Sequence, residues 1–483
     1  MHKILESAID LALAAGATYA EARAVVDRVQ RLAVRNDVVV TVEDEDSEGI
    51  GIRVLVNGAW GFASVSELNA QGVERAASQA VRVAAASALL ARTPVTLAPL
   101  AAQTGHWETL VEVDPFSVTV REKTDVLLDA CRLMDVEPAV RVRFASCMSR
   151  TQDVWLLTSE GTRVSQRHVW TGGGLKAVAV GDDDVQVRSF PNSFGGQHAA
   201  GGWEVMREIA LHSRARFTAM EAVELLSADD CPERVCDLIL EPSQLGLQIH
   251  ESIGHAAELD RVFGHEAAFA GGTYLASETV GAFQLGSEHV TISADSTVAG
   301  ALGSFGWDDE GVPAGRQLLV DRGVFSGWLS NRETAGRIGQ VSSGAGRASG
   351  FHRMPLVRMV NVSLEPGTAG SVEDLISSTD DGIYMQTNKS WSIDDRRLNF
   401  QFGCERAYEI RGGRRIRLLK NPTYRGRSPQ FWSSCDAVCG PDSFELWGLT
   451  NCGKGQPGQL MAMSHGASPA RFVRTSIQSG GSR

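Results

Sequence analysis

The sequence predicts an α+β protein: an N-terminal α/β domain of antiparallel sheet and helices over residues 1–228, then a mainly β domain over residues 229–483 that is barrel- or sandwich-like and carries a single strong helix. Three observations predict it. Amphipathic helical patterns concentrate in the first half, alternating apolar runs there are separated by short turn signals, and the second half is dense in glycine turns. A chain of 483 residues exceeds one ordinary core, and the segment holding Asp229, Asp230 and Pro232 marks the expected boundary.

Residues 1–16 read as an amphipathic helix, because Glu6 and Asp10 interrupt the apolar pattern and no cleavage site follows; this is not a signal peptide. Strand-like runs cover 32–42 and 50–65, the second broken at Asn57-Gly58, a hairpin signal. Helices are expected at 72–92 and at 117–134, the latter with Ser117 as N-cap. Alternating segments at 140–149, 154–159, 163–170 and 175–180 make an antiparallel meander with a turn at Glu160-Gly161. A helix over 203–226 closes this half. A strand at 235–240 then precedes a helix from Pro242 to about Glu258, in which Leu245, Ile249 and Ile253 recur every fourth position. Short strands are expected at 290–294, 317–320, 323–329, 358–364 and 397–411. Arg411, Arg414, Arg415, Arg417 and Lys420 surround Gly412-Gly413 and read as a hairpin with solvated charges. The Ser/Gly-rich tail from Thr475 is expected to lack regular structure.

Composition narrows the function classes. A formal charge of −12 argues against a nucleic-acid partner. No run approaches the ~20 apolar residues that span a bilayer, so no membrane association is expected. Eight scattered cysteines without a secretory signal fit reduced thiols in a cytoplasm.

The chemistry concentrates in HESIGHAAELD, where His250, Glu251 and His255 stand on the helix after Pro242. In the H-E-x-x-H motif of zinc peptidases the histidines are four apart on one helical face and the glutamate is general base. Here they are five apart, which on a regular α-helix separates them by about 140°. Two readings follow: decoration of a buried helix, or a metal-binding helix deformed by a π-bulge that accommodates one extra residue. Gly254, lacking a Cβ, makes local unwinding near residues 252–254 easier.

A catalytic zinc site usually has three protein ligands and a water, so one donor is missing. Glu258 is three residues after His255; Cys452 and His465 are distant alternatives, and Cys435 and Cys439 form a C-x-x-x-C pair that reads as buried thiols rather than a second zinc site.

HESIGH with Glu258 and Asp260, then Ala268-Phe269-Ala270-Gly271, GSFGWDDEGVPAGR at 303–316, and CGKGQPGQ with SHG at 464–466 resemble, in that order, the TldD/PmbA family of metallopeptidases. GIGIRVLVNGAWGFAS at 49–64 is similar to the family's N-terminal domain, so the likeness spans nearly the whole chain. Because HExxxH is present, the chain resembles the catalytic TldD type rather than the PmbA (TldE) type. The resemblance implies Zn2+ held by His250, His255 and Cys452, Glu251 as the catalytic carboxylate, and unfolded or short peptides as substrate. It also implies a dimer, either a homodimer or a pair with a PmbA-type (TldE) subunit. Leu259 departs from the glycine often found between the two acidic residues. Glu258 and Asp260 are then expected behind the ligands, orienting an imidazole N–H as metal-bound histidines require.

Zinc chemistry of this kind lowers the pKa of water from ~15.7 toward ~7 and lets Glu251 act as general base. Two other functions suit the same residues: a zinc amidohydrolase of non-peptide amides, and a non-enzymatic scaffold, in line with the family's older description as modulators of DNA gyrase. Asp308, Asp309 and Glu310 are expected to cap neighbouring backbone N–H groups, with substrate binding as the alternative. The GKGQPG loop lacks the phosphate-loop arrangement and is expected to let backbone approach the metal or substrate. His465 is either a transition-state stabiliser or a packed histidine.

Overall fold

The computed structural model describes residues 1–455 and 457–480. The chain begins with α1 (His2–Ala14), β1 (Tyr19–Arg35), β2 (Val38–Val56), β3 (Ala59–Val65), α2 (Ala70–Ala88) and β4 (Thr104–Glu108). It continues with α3 (Val120–Leu133), β5 (Val140–Thr158), β6 (Arg163–Val180), β7 (Val185–Phe190), β8 (Gln197–Ala200), α4 (Glu204–Ile209) and α5 (Leu211–Ser227). The eight strands form one sheet in the order β3-β2-β1-β5-β6-β4, with β7 and β8 also on β6.

Period-two alternation explains this layer. Along β1, Ala20, Ala22 and Ala24 pack under α1 and α2, while Leu32 and Val34 pack under α3 and α5. The odd positions point the other way. Arg23 reaches Asp309 at 3.1 Å, and Arg53 of β2 bridges Glu21 and Glu310, each at 2.8 Å in the closest contact. One face of the sheet therefore carries helices and the other docks the C-terminal half.

That docking decides the role of the acidic turn. Asp308 accepts backbone N–H groups from Glu310, Val312 and Gly346, each at 2.9 Å, and Glu310 accepts from Arg332 N at 2.7 Å as well as from Arg53. All three carboxylates are spent on backbone and arginine, so the turn is structural. Burial, and then the neighbouring Glu310, push the Asp308 carboxyl well above its ordinary range.

Several expected elements differ in extent. The meander is two long strands, β5 and β6, rather than four short ones, and residues 32–42 are split by a tight turn at Asn36-Asp37, with Asn36 at φ 55°. The N-cap of α3 is Thr119, not Ser117, because Thr119 and Glu122 make a reciprocal capping box. The helix expected at 203–226 breaks at Ala210, which takes a left-handed conformation (φ 51°). Of the runs expected at 323–329 and 358–364, only Val324–Phe325 and Val362–Leu364 are strand.

The C-terminal half opens with β9 (Asp229–Asp230), β10 (Arg234–Leu240) and α6 (Pro242–Ile249). Strand β10 pairs with Asp381–Ile393 and Ala470–Ser479; Pro422–Arg427 joins the latter to Asn399–Arg411, which returns to Asp381–Ile393. These pairings close a five-strand barrel. The tail departs from expectation, since residues 475–479 complete the barrel strand Ala470–Ser479. Ile477, almost fully buried, pairs with Arg234 and Tyr424, and those partners supply the order that Ser/Gly composition conceals. Residues 481–483 lie outside the described residues. Among the described residues, no helix is long and apolar enough to cross a membrane.

Candidate metal centre

Helix α6 leaves β10 at Glu241, starts on Pro242, and is buried on nearly every side. At residue 250 it changes pitch. His250–Gly254 forms a π-turn, and the His255 N–H bonds the His250 carbonyl at 3.0 Å, an i to i+5 contact. Wider winding brings the two imidazoles to one side, with ring centres 4.7 Å apart. The extra residue is stabilised from outside: Trp432 Nε1 donates to Ser252 Oγ at 2.8 Å, and Tyr274 O–H donates to the Ser252 carbonyl at 2.9 Å.

Gly254 matters for a reason other than ease of unwinding. A Cβ there would overlap the sulfur of Met359, a core residue beneath the turn. Gly254→Ala is expected to destabilise the metal-free protein by about 1–3 kcal/mol through overpacking and to weaken metal binding by displacing both histidines. Thermal unfolding and chelator competition measure the two effects.

The third donor arrives on a hairpin made of strands Glu445–Lys454 and Gln459–Ala467, in which Cys452 faces Met461 and Trp447 faces His465. Strand alternation turns Cys452 and Lys454 inward together. One donor atom from each of His250, His255 and Cys452 lies within 4.8 Å of the others, the one such His/Cys/Asp/Glu cluster among the described residues. Tetrahedral zinc, with N at ~2.0 Å and S at ~2.3 Å, places N and S roughly 3.5 Å apart. His255 Nε2 and Cys452 Sγ are 3.6 Å apart, so the donor set fits the metal. Burial raises the Cys452 thiol, but His255 and the Arg358 guanidinium beside it outweigh that and bring the group below its ordinary value, toward the thiolate.

Second partners fix how each imidazole is presented. His255 Nδ1 lies 2.9 Å from Glu258 Oε2, so Nδ1–H donates to the carboxylate and the unprotonated Nε2 is left facing Cys452. Glu258 cannot reach that side; Arg261 Nε holds the same oxygen at 2.7 Å, and Lys454 lies 3.3 Å from the other. Desolvation opposes its charge, yet Lys454, His255 and Arg261 together hold its carboxyl well below the usual range. His465 behaves analogously toward His250. Its Nδ1 lies 2.8 Å from the Val362 carbonyl and must carry the proton, so Nε2 accepts from His250 Nδ1 at 2.8 Å. Both ring nitrogens of His465 are thereby taken, which leaves no donor for a substrate oxyanion and corrects the transition-state role. Burial holds His250 down to about 4 and His465 to about 3, so both rings are neutral at pH 7.

Asp260 also differs from expectation, for it touches Lys454 at 2.8 Å and no imidazole. Cys435 and Cys439 are buried free thiols, raised by burial to about 12 and about 11. In the glycine loop, Gly455 packs under Phe269, where a Cβ would meet the ring at 2.6 Å; Gln456 lies outside the described residues. Sequence reasoning missed Lys454, Arg261 and Arg397. The first two carried a signal, two residues after Cys452 on a strand and three after Glu258, whereas Arg397 carried none. Its Nη1 donates to Glu251 Oε2 at 2.7 Å.

Residues 20–84 match domain 1 of the PmbA/TldA metallopeptidases, residues 113–229 the central domain, and residues 233–462 the C-terminal domain. A metalloprotease of Methanothermobacter thermautotrophicus is 30% identical over 94% of each chain. The chain belongs to the PmbA/TldD metallopeptidase family. A second metalloprotease, from Methanocaldococcus jannaschii, is 27% identical over 95% of this chain and 96% of its own. Among solved structures, a Thermotoga maritima protein aligns with a TM-score of 0.76 at 17% identity over 99% of this chain and 100% of its own. TldE from Thermococcus kodakarensis follows at 0.71 and 17%, over 98% and 99%. These two share the fold.

Proposed function

We propose that the protein is a zinc peptidase that hydrolyses unfolded or short peptides, with His250, His255 and Cys452 as zinc ligands and Glu251 as general base. The observation that carries this reading is the convergence of three neutral or anionic donors with a carboxylate on the adjoining residue. Two imidazoles and a thiolate suit zinc, which supplies a Lewis-acid centre and acidifies water from ~15.7 toward ~7. Glu251 accepts the proton of the attacking water and returns it to the leaving nitrogen. Glu258 and His465 keep both ligand rings in the tautomer that offers Nε2. The reading includes a dimer, either of this chain with itself or with a PmbA-type (TldE) subunit, and a cytoplasmic setting, for which eight unpaired cysteines are suited.

The test is digestion of an unfolded peptide mixture followed by mass spectrometry, with elemental analysis of the same sample and its mass in solution. One zinc per chain and cleavage that a strong chelator abolishes and zinc restores are the expected results. Undiminished cleavage by metal-free protein would sink the reading.

A further inference from the structure

The carboxylate of Glu251 is gripped from outside its own helix. Arg397 Nη1 donates to Glu251 Oε2 at 2.7 Å and Nη2 to the Ala270 carbonyl at 3.3 Å. The two side chains are only 13% and 9% exposed, so this pair is poorly screened, unlike a surface ion pair.

The backbone is arranged to aim that one side chain. Arg397 closes the turn between strands Asp381–Ile393 and Asn399–Arg411 at φ +61°, a left-handed conformation uncommon outside glycine. Its neighbours hold it there. The Asp394 carboxylate accepts N–H bonds from Arg396, Leu398 and Asn399 at 2.8–3.1 Å, and Ser428 Oγ donates to the Arg397 carbonyl at 2.7 Å. Strain maintained by surrounding bonds clusters at functional sites.

The same turn anchors the segment 264–273. Gly272 N–H donates to the Asp395 carbonyl at 2.8 Å, and a Cβ on Gly271 would overlap that carbonyl. Arg261, which holds Glu258 behind His255, donates to the Ala270 carbonyl at 3.0 Å. A single carbonyl thus receives one guanidinium from the base and another from a ligand's partner. Both terminal nitrogens of Arg397 are engaged within the protein, which disfavours a role in capturing a substrate carboxylate.

We infer that Arg397 is the positioning residue of the general base: it holds Glu251 Oε2 so that the carboxylate stays off the metal and offers its other oxygen to the attacking water. This rests on the peptidase reading above. The physical need is plain, because a flexible carboxylate one residue from a ligand would close on the cation and fill the position that a catalytic zinc site keeps open.

Arg397→Gly is the variant of choice, since glycine takes the left-handed conformation without strain. With zinc bound, kcat on an unfolded peptide is expected to fall on the order of 100-fold, with KM changed little and added guanidinium restoring part of the rate. Cobalt-substituted protein gives a readout independent of turnover. Arg397→Gly is expected to show the weaker visible absorption of higher coordination, and the Arg397→Gly/Glu251→Gln double variant to return to the wild-type band. An unaltered cobalt spectrum in Arg397→Gly, or a loss confined to KM, overturns the proposal. Should Glu251→Gln alone keep wild-type turnover, the assignment of Glu251 as general base fails instead, and the cobalt comparison still decides whether Arg397 holds the carboxylate off the metal.

Discussion

Glu251→Gln is expected to retain a full complement of zinc and to lose ~10² to 10⁴ in kcat, the usual worth of general acid–base catalysis. The side chain is nearly isosteric, and its amide oxygen can still accept from Arg397, so the π-turn and both histidines keep their places. What disappears is the ability to hold a proton. The neighbouring residue is His250, whose tautomer is fixed by His465 rather than by Glu251, which is why metal content should not follow activity. Turnover of an unfolded peptide and elemental analysis on one preparation separate the two quantities. A variant that cleaves at the wild-type rate removes Glu251 from the mechanism.

Cys452→Ala is expected to have the opposite signature, with zinc affinity lowered by more than ~100-fold, beyond the 10–100-fold typical of losing only an outer partner of a metal ligand. Alanine fits the buried strand position, so the hairpin survives and the measured change belongs to the donor. Chelator competition measures it. Glu258 is the one carboxylate that could compensate on sequence grounds, but it sits at the Nδ1 edge of His255 while Cys452 sits at the Nε2 edge. To replace the thiolate it would have to leave Arg261 and give up the hydrogen bond it accepts from His255 Nδ1–H. Full zinc occupancy in Cys452→Ala would return Glu258 to the role of third donor.

The reading of HESIGH shows what one sequence can disclose. Five-residue spacing is incompatible with one face of a regular α-helix, so the π-turn was implied by the same residues that implied the metal. The mainly β second half, the Asn57-Gly58 hairpin and the helical layer were likewise legible, because each follows from local periodicity or turn chemistry, whereas closure into a barrel rather than a sandwich rests on pairing of residues 234–240 with strands more than 140 residues later. Other features depend on partners far along the chain. The lengths of β5 and β6 are set by pairing across the whole sheet, which carries polar residues such as Ser146 and Gln152 within continuous ladders. Ile477 acquires its order from Arg234 and Tyr424. Arg397 reads as an ordinary turn arginine until the turn is placed beside the π-turn, 146 residues earlier in sequence. Gly254 is legible as the place where the helix unwinds, but the second demand for a missing Cβ, the sulfur of Met359 beneath it, is not.

The separation of the donors also sets a timetable. Cys452 follows His255 by 197 residues, so at ~5–20 residues per second a ribosome delivers the thiol roughly 10–40 s after the imidazoles. During that interval the nascent chain can offer a cation only a weak two-nitrogen grip. With the ligands proposed above, firm capture of an ion would have to wait for the hairpin that carries Cys452, when four of the five barrel strands have already been made.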